Sequence, residues 1–267
     1  MKHLLSIIII PILFSSFTRY QGPAATKPET GTLNLSFENY GGDRLLHLNT
    51  DTFTNAQQES FTVTLLQYFV SNISLTTVKG EVVTIPVDSS YFLVKESDPG
   101  SKTIKLNIPK GEYSSVTFML GVDSLRNTMP LSARTGVLDP SSYQGNESMY
   151  WGWNSGYIFF KMEGNPLNIK KDTAYIKKFR YHIGLFGGMN TPTVNNIKMI
   201  RLDLGDKGYA KVAGDKHPTI HIKADVLKMF TGVYPVSIAK NSTVMVTPFS
   251  ANVANNYANM FTHTGTE

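Results

Sequence analysis

The sequence contains no cysteine. That absence excludes disulfides, thiolate metal sites, a cysteine nucleophile, haem attachment through C-x-x-C-H and a lipid anchor behind an export signal. Charge is sparse as well: charged residues make up 17% of 267, and 25 Lys and Arg against 20 Asp and Glu leave a formal net charge of +5. The basic residues are scattered except in NIKKDTAYIKKFR, where Asp172 interrupts them and no stacking platform accompanies them, so nucleic acid is not an expected partner. The one long apolar run, LLSIIIIPILF from Leu4 to Phe14, has eleven residues and is too short to cross a bilayer. With Lys2 before it and SSFT after it, the run reads as an export signal. Residues 1–22 are therefore expected to be signal peptide and leader, cleaved between Thr18 and Ala25. The mature protein is expected to be periplasmic or secreted, without a membrane anchor. No HExxH, G-x-S-x-G, P-loop or dinucleotide-binding motif occurs, and no catalytic activity of its own is expected.

What the chain does have is apolar mass: 41% hydrophobic residues, with 15 Phe and 13 Tyr, enough for one large domain over residues 31–267. Alternation of period two recurs along it. GTLNLSFENY sets Leu33, Leu35 and Phe37 on one side of a strand, and TVNNIKMIRLDL does the same with Ile200, Leu202 and Leu204. KTIKLNIPKGEYSSVTFMLGVD carries Ile104, Leu106 and Ile108 before a PKG turn and Val116, Phe118, Leu120 and Val122 after it, which predicts a β-hairpin. FTVTLLQYFVSN shifts phase at Leu66, Tyr68 and Val70, the mark of a bulge or a helical turn. Helical spacing is confined to ADVLKMFTG, with Gly232 as C-cap, and SANVANNYANMF, with Ser250 as N-cap. The expected fold is all-β: an antiparallel β-sandwich with long loops and a few short helices. The longest loop, Asp123 to Ser148, runs into the chain's two tryptophans.

Those tryptophans, Trp151 and Trp153 in MYWGWNSGYIFFKMEG, share one face if the segment is extended. They then form either a buried aromatic cluster or a site: a sugar-stacking platform, a metal-site wall or an oxidisable side chain. Without cysteine, a metal must be held by His, carboxylate or Met. His217 and His221 lie about 13 Å apart on a strand. His182, in FRYHIGLFGG, faces away from the apolar row Phe179, Tyr181, Ile183 and Leu185. In GVDSLRN, Asp123 and Asn127 stand where oxygen ligands could hold calcium or where they could structure the loop. Asp123, Asp139 and Glu163 are the carboxylates nearest the tryptophans in sequence, candidates for an acid pair by that proximity alone.

The run GVDSLRN, LDP, MYWGWNSGYIFFKMEG, FRYHIG and NNYANMF, in that order, resembles the MbnP-like family of exported bacterial proteins. LNLSFENYGGDRLLHLN and FTVTLLQYFVSNISL are similar to its first strands, so the likeness covers roughly Gly31 to His263. The resemblance implies a periplasmic, β-rich copper-binding protein. It also implies a separate di-haem partner related to the MauG and MbnH peroxidases, which oxidises a tryptophan to kynurenine. In the similar copper proteins MopE and CorA the kynurenine helps His hold the metal. On this chain the oxidisable residue falls on Trp153 or Trp151 and the metal ligand on His182, with His47 and His263 as further ligands. MopE and CorA place a His two residues from the modified Trp; here Met149 and Trp153 flank Trp151. A different class of function, a carbohydrate- or peptide-binding β-sandwich using an exposed Trp/Tyr cluster, remains the alternative.

Overall fold

A computed structural model describes residues 28–267; the expected signal and leader, residues 1–22, lie outside the described residues. The longer strands are β1 (Thr30–Gly41), β2 (Ser60–Thr77), β3 (Tyr91–Lys95), β4 (Thr103–Pro109), β5 (Gly111–Leu120), β6 (Gly156–Pro166), β7 (Phe179–Gly184), β8 (Lys198–Asp203), β9 (Thr219–Asp225) and β10 (Phe261–Thr266). The α-helices are short, α1 (Ser124–Thr128) and α2 (Ser250–Tyr257). One sheet runs β10-β9-β1, with β4 along the other side of β1. The second runs β8-β5-β2-β6-β7, with β3 also on β2 and the short strand Thr243–Val244 on the edge of β7. The fold is predominantly β with a few short helices, as the alternation predicts.

The alternating residues are what close the two sheets on each other. Leu33, Leu35 and Phe37 of β1 are fully buried, and the Phe37 ring meets Phe118 of β5 and Tyr68 of β2 at centroid distances of 5.6 and 6.3 Å. Phe261 of β10 completes the group, 5.2 Å from Phe118 and 5.7 Å from Tyr68. Edge-on aromatic pairs of this kind add about 0.5–1.5 kcal/mol each beyond the area they bury. No helix among the described residues is long and apolar enough to cross a membrane.

Three local expectations are corrected. β4 and β5 are not a hairpin: β4 pairs with β1 in one sheet and β5 with β2 in the other, so the PKG turn carries the chain across the sandwich. The apolar faces of the two strands point at each other through the core instead of lying side by side, and alternation is the same in either case. The sheets are not purely antiparallel, since β1 and β9 are parallel, as are β7 and Thr243–Val244. Ser250 is the first residue of α2 and not its N-cap; its hydroxyl donates to the Thr247 carbonyl at 2.6 Å.

The phase shift in β2 is a bulge, where its register with β6 slips between Val63 and Leu65. Opposite the slip sits Gly164, where a Cβ would collide with the Thr62 carbonyl oxygen and the Phe179 ring. Gly164→Ala is therefore expected to lower stability by about 1–3 kcal/mol at unchanged urea m-value. A midpoint equal to wild type would show that the sheet relaxes around the added methyl.

Candidate functional site

The outward face of the second sheet is covered by the chain's own long loop. β6 buries both faces: Phe160 and Met162 point into the sandwich core, while Tyr157 and Phe159 join a second apolar cluster outside it with Phe69, Leu138 and Met149. Lys161 and Glu163 continue that outward row by strand parity. Lys161 is paired in register with Gln67 of β2 on one side and His182 of β7 on the other. A polar row thus crosses three strands, and the turn Gly145–Glu147 lies over it. Lys161 is 3% exposed and donates to the carbonyls of Asn146 and Ser148; Gln67 donates to the Glu147 carbonyl at 2.8 Å.

Glu163 is the hub of this row. It is fully buried; one carboxylate oxygen lies 2.8 Å from His182 Nε2, and the other accepts from Asn146 Nδ2 at 3.1 Å and pairs with Lys178. Burial pushes the carboxyl up, but hydrogen bonds from Lys178, Asn146 and His182 outweigh it and hold the group at about 2. Burial drives His182 the other way, down to about 4, against the opposing pull of Glu163. At neutral pH the pair is carboxylate and neutral imidazole. A neutral ring facing a carboxylate through Nε2 donates from that nitrogen, so Nδ1 carries the lone pair. Among the described residues the side-chain hydrogen bond of His182 is the one to Glu163, through Nε2, and none is seen at Nδ1. A carboxylate behind one ring nitrogen with the other left free is how metal-binding histidines are oriented.

The tryptophan segment is not extended. The short strand Tyr150–Gly152 ends at Gly152, whose φ is 88°, and Trp153–Ser155 make a 3-10 turn before Gly156, φ 68°, starts β6. The premise that places both indoles on one face therefore fails. Asn154 clamps this turn: its Oδ1 accepts from the amides of Met189, Asn190 and Thr191 at 2.9, 2.7 and 3.1 Å. The side chain of Trp153 lies outside the described residues. Trp151 is half-buried against the second apolar cluster, and its Cζ3 would stand 2.8 Å from a Cβ on Gly184. Gly184 is the next same-face position after His182 on β7, about 7 Å along the strand.

The other expected site residues stand apart. His47 is exposed in a turn, with Nδ1 2.9 Å from Asp51. His263 lies in the opposite sheet on β10, its Nε2 2.9 Å from the Thr266 hydroxyl, its Nδ1 buried without a partner and its pKa lowered by burial. The structure does not bring them to His182, and among the described residues no three His, Cys, Asp or Glu side chains form a metal cluster. Asp123 and Asn127 structure the loop: Asp123 caps α1 by accepting from the Arg126 amide at 3.0 Å, and Asn127 Oδ1 accepts from the Tyr157 amide at 2.9 Å. The three carboxylates form no acid pair. Asp123 is engaged by Tyr91 and that amide, Asp139 caps the turn Pro140–Ser142, and Glu163 is held in the polar row. Among the described residues no flat aromatic platform forms either, since Tyr157 is buried and Tyr143, Tyr150 and Trp151 pack against the second cluster.

Sequence reasoning missed Lys161, Lys178, Asn146 and Asn154. A signal for the first existed: Lys161 and Glu163 are two charges at period two inside the apolar run GYIFFKMEG, which marks a buried polar face.

Comparison with known proteins fits this architecture. A family model described as MbnP matches residues 30–246. Among solved structures, MbnP from Methylosinus trichosporium is similar to this chain, with 16% identity, 76% of this chain and 78% of that one covered, and a TM-score of 0.54. No curated protein sequence matches it.

Proposed function

The chain belongs to the MbnP family, and from that footing we propose that it is an exported copper-binding protein in which His182 is a metal ligand and Trp151 is oxidised to kynurenine by a separate di-haem peroxidase. The observation that carries the reading is the placement of the Trp151 indole over Gly184, one same-face step from the unpartnered Nδ1 of His182. The donor chemistry fits copper, which takes imidazole readily. His182 supplies one nitrogen and Glu163 fixes its ring, while the amine and carbonyl of a kynurenine at 151 would supply further donors. His47 and His263 have no part in this set.

The oxidation needs an external oxidant, and a peroxidase brings hydrogen peroxide. Two peroxides are reduced to water as the indole C2–C3 bond is cleaved and two oxygens are added, giving N-formylkynurenine; hydrolysis then releases formate and leaves kynurenine. The peptide thereby exchanges one carbon for one oxygen. The structural contribution of this chain is access, since Trp151 lies in the outer cluster, beyond the sheet from the sandwich core.

Co-expression with a di-haem partner, followed by peptide mass spectrometry, is expected to place the carbon-for-oxygen mass gain on Trp151 and to lose it in Trp151→Phe. A gain on Trp153 alone would move the site by two residues. Two unmodified tryptophans beside an active partner would sink the proposal.

A further inference from the structure

At the other end of the long loop a cavity of about 260 Å³ opens between the turn Met129–Leu138 and Tyr91 at the start of β3, and two arginines, Arg126 and Arg134, are among the residues that line it. Arg126 pairs with Asp88 through Nη2, donates from Nη1 to Met129 Sδ at 3.6 Å and lies 5.5 Å from the centre of the Tyr91 ring. Its Nε is buried and has no partner. Arg134 is 7% exposed and sits between the rings of Tyr150 and Tyr157, at 4.9 and 5.1 Å. Its Nε and Nη2 donate to the carbonyls of Met129 and Asn127, at 3.2 and 2.9 Å, while Nη1 is buried and unpartnered.

An orphaned N–H on a cation is more costly than one on a neutral group. Here two of them, buried behind the surface, belong to two arginines that line one cavity. The carboxylate on its wall, Asp88, is 87% exposed at the side chain and is already paired with Arg126 Nη2. Nearby Asp123 is engaged by the Tyr91 hydroxyl and the Arg126 amide. On the cavity wall itself two arginines stand with one carboxylate, Asp88, and the rings of Tyr91, Tyr150 and Tyr157 fix the planes of the two guanidinium groups.

We propose that this cavity binds a small oxyanion, a carboxylate or phosphate group, through Arg126 Nε and Arg134 Nη1. Both atoms are shielded in the unliganded packing, and the unbranched Met129 side chain on the cavity wall is the part that yields to seat an oxygen against them. This inference is independent of the copper reading, because none of its residues belongs to the Glu163 row.

The test is calorimetric titration of the mature chain with inorganic phosphate and, separately, with acetate, at constant ionic strength in chloride. Saturable one-to-one binding is expected for at least one of them, and the tighter of the two identifies the ligand class. Arg126→Gln and, should that variant misfold, Arg126→Lys are expected to weaken binding about tenfold or more through loss of a charge-assisted hydrogen bond. Lys216→Gln, in a separate basic pocket with Lys211 and His217, is expected to leave it unchanged. No saturable binding of either anion would overturn the proposal and assign the cavity to water. So would equal weakening by Lys216→Gln, which would reveal only a general charge effect.

Discussion

Copper carried by the wild-type protein is expected to fall to background when His182 is replaced by alanine, and to weaken about 10–100-fold when Glu163 is replaced by glutamine. The two variants separate ligand from support. On the proposed reading His182 is the copper ligand, one same-face step along β7 from the Gly184 position that the Trp151 ring covers, so its removal would delete a bond to the metal. Glu163 instead holds Nε2 at 2.8 Å; glutamine keeps the size and loses the charge, so the ring loses its fixed tautomer and its basicity. His47→Ala and His263→Ala are expected to leave copper unchanged, since one is an exposed turn residue and the other lies in the opposite sheet. Metal content by mass spectrometry of native protein, with circular dichroism to confirm folding, reads all four. Full retention of copper in folded His182→Ala would remove that residue from the site. Equal losses from His47→Ala would show that a ligand arrives from outside the Glu163 row.

The parts of this molecule that could be read from its sequence are those fixed by a face, and the unreadable parts are those fixed by a neighbour. Alternation at Leu33, Leu35 and Phe37, or at Ile200 and Leu202, says which side of a strand is buried, and those residues are buried. The same pattern at Ile104 to Ile108 and Val116 to Leu120 cannot say whether two strands lie beside or opposite each other, and here they lie opposite. His182 was legible as a polar position against an apolar row. Its partner Glu163 was visible only as a nearby carboxylate, because the contact depends on the register of β6 with β7 and on the Lys178 and Asn146 side chains. The tryptophan turn escaped because its two glycines adopt positive φ and break the strand that the surrounding aromatics suggest.

Replacing Glu59 with alanine is expected to cost about 3–5 kcal/mol of folding stability, since several buried donors lose their acceptor together. Glu59 stands at the start of β2, and its carboxylate accepts from Asn55 Nδ2 at 2.7 Å, the Ser237 hydroxyl at 2.8 Å and the amides of Ile238 and Ala239 at 2.7 and 2.8 Å. That segment leads into Thr243–Val244, the edge partner of β7, so the loss reaches the strand that carries His182. Burial raises the Glu59 pKa, but the hydrogen bonds from Asn55, Ala239, Ile238 and Ser237 outweigh it and hold the group below its usual 4.5. The sign follows from which state binds more protons. The unfolded chain takes up the proton first, so this stability is fully present above pH 4.5 and is lost as pH falls through the folded value. The wild-type protein is thus expected to lose stability more steeply than Glu59→Gln in that acid range. Glutamine also places an amide N–H where Asn55 or Ile238 now donates, so at neutral pH the variant is expected to be about 2 kcal/mol less stable. Urea midpoints for both proteins from neutral pH down to about pH 3 read both effects. Parallel curves would show that Glu59 is not titrating against a folded-state preference, and equal midpoints at neutral pH would show that the Ser237 to Ala239 turn is held by something else.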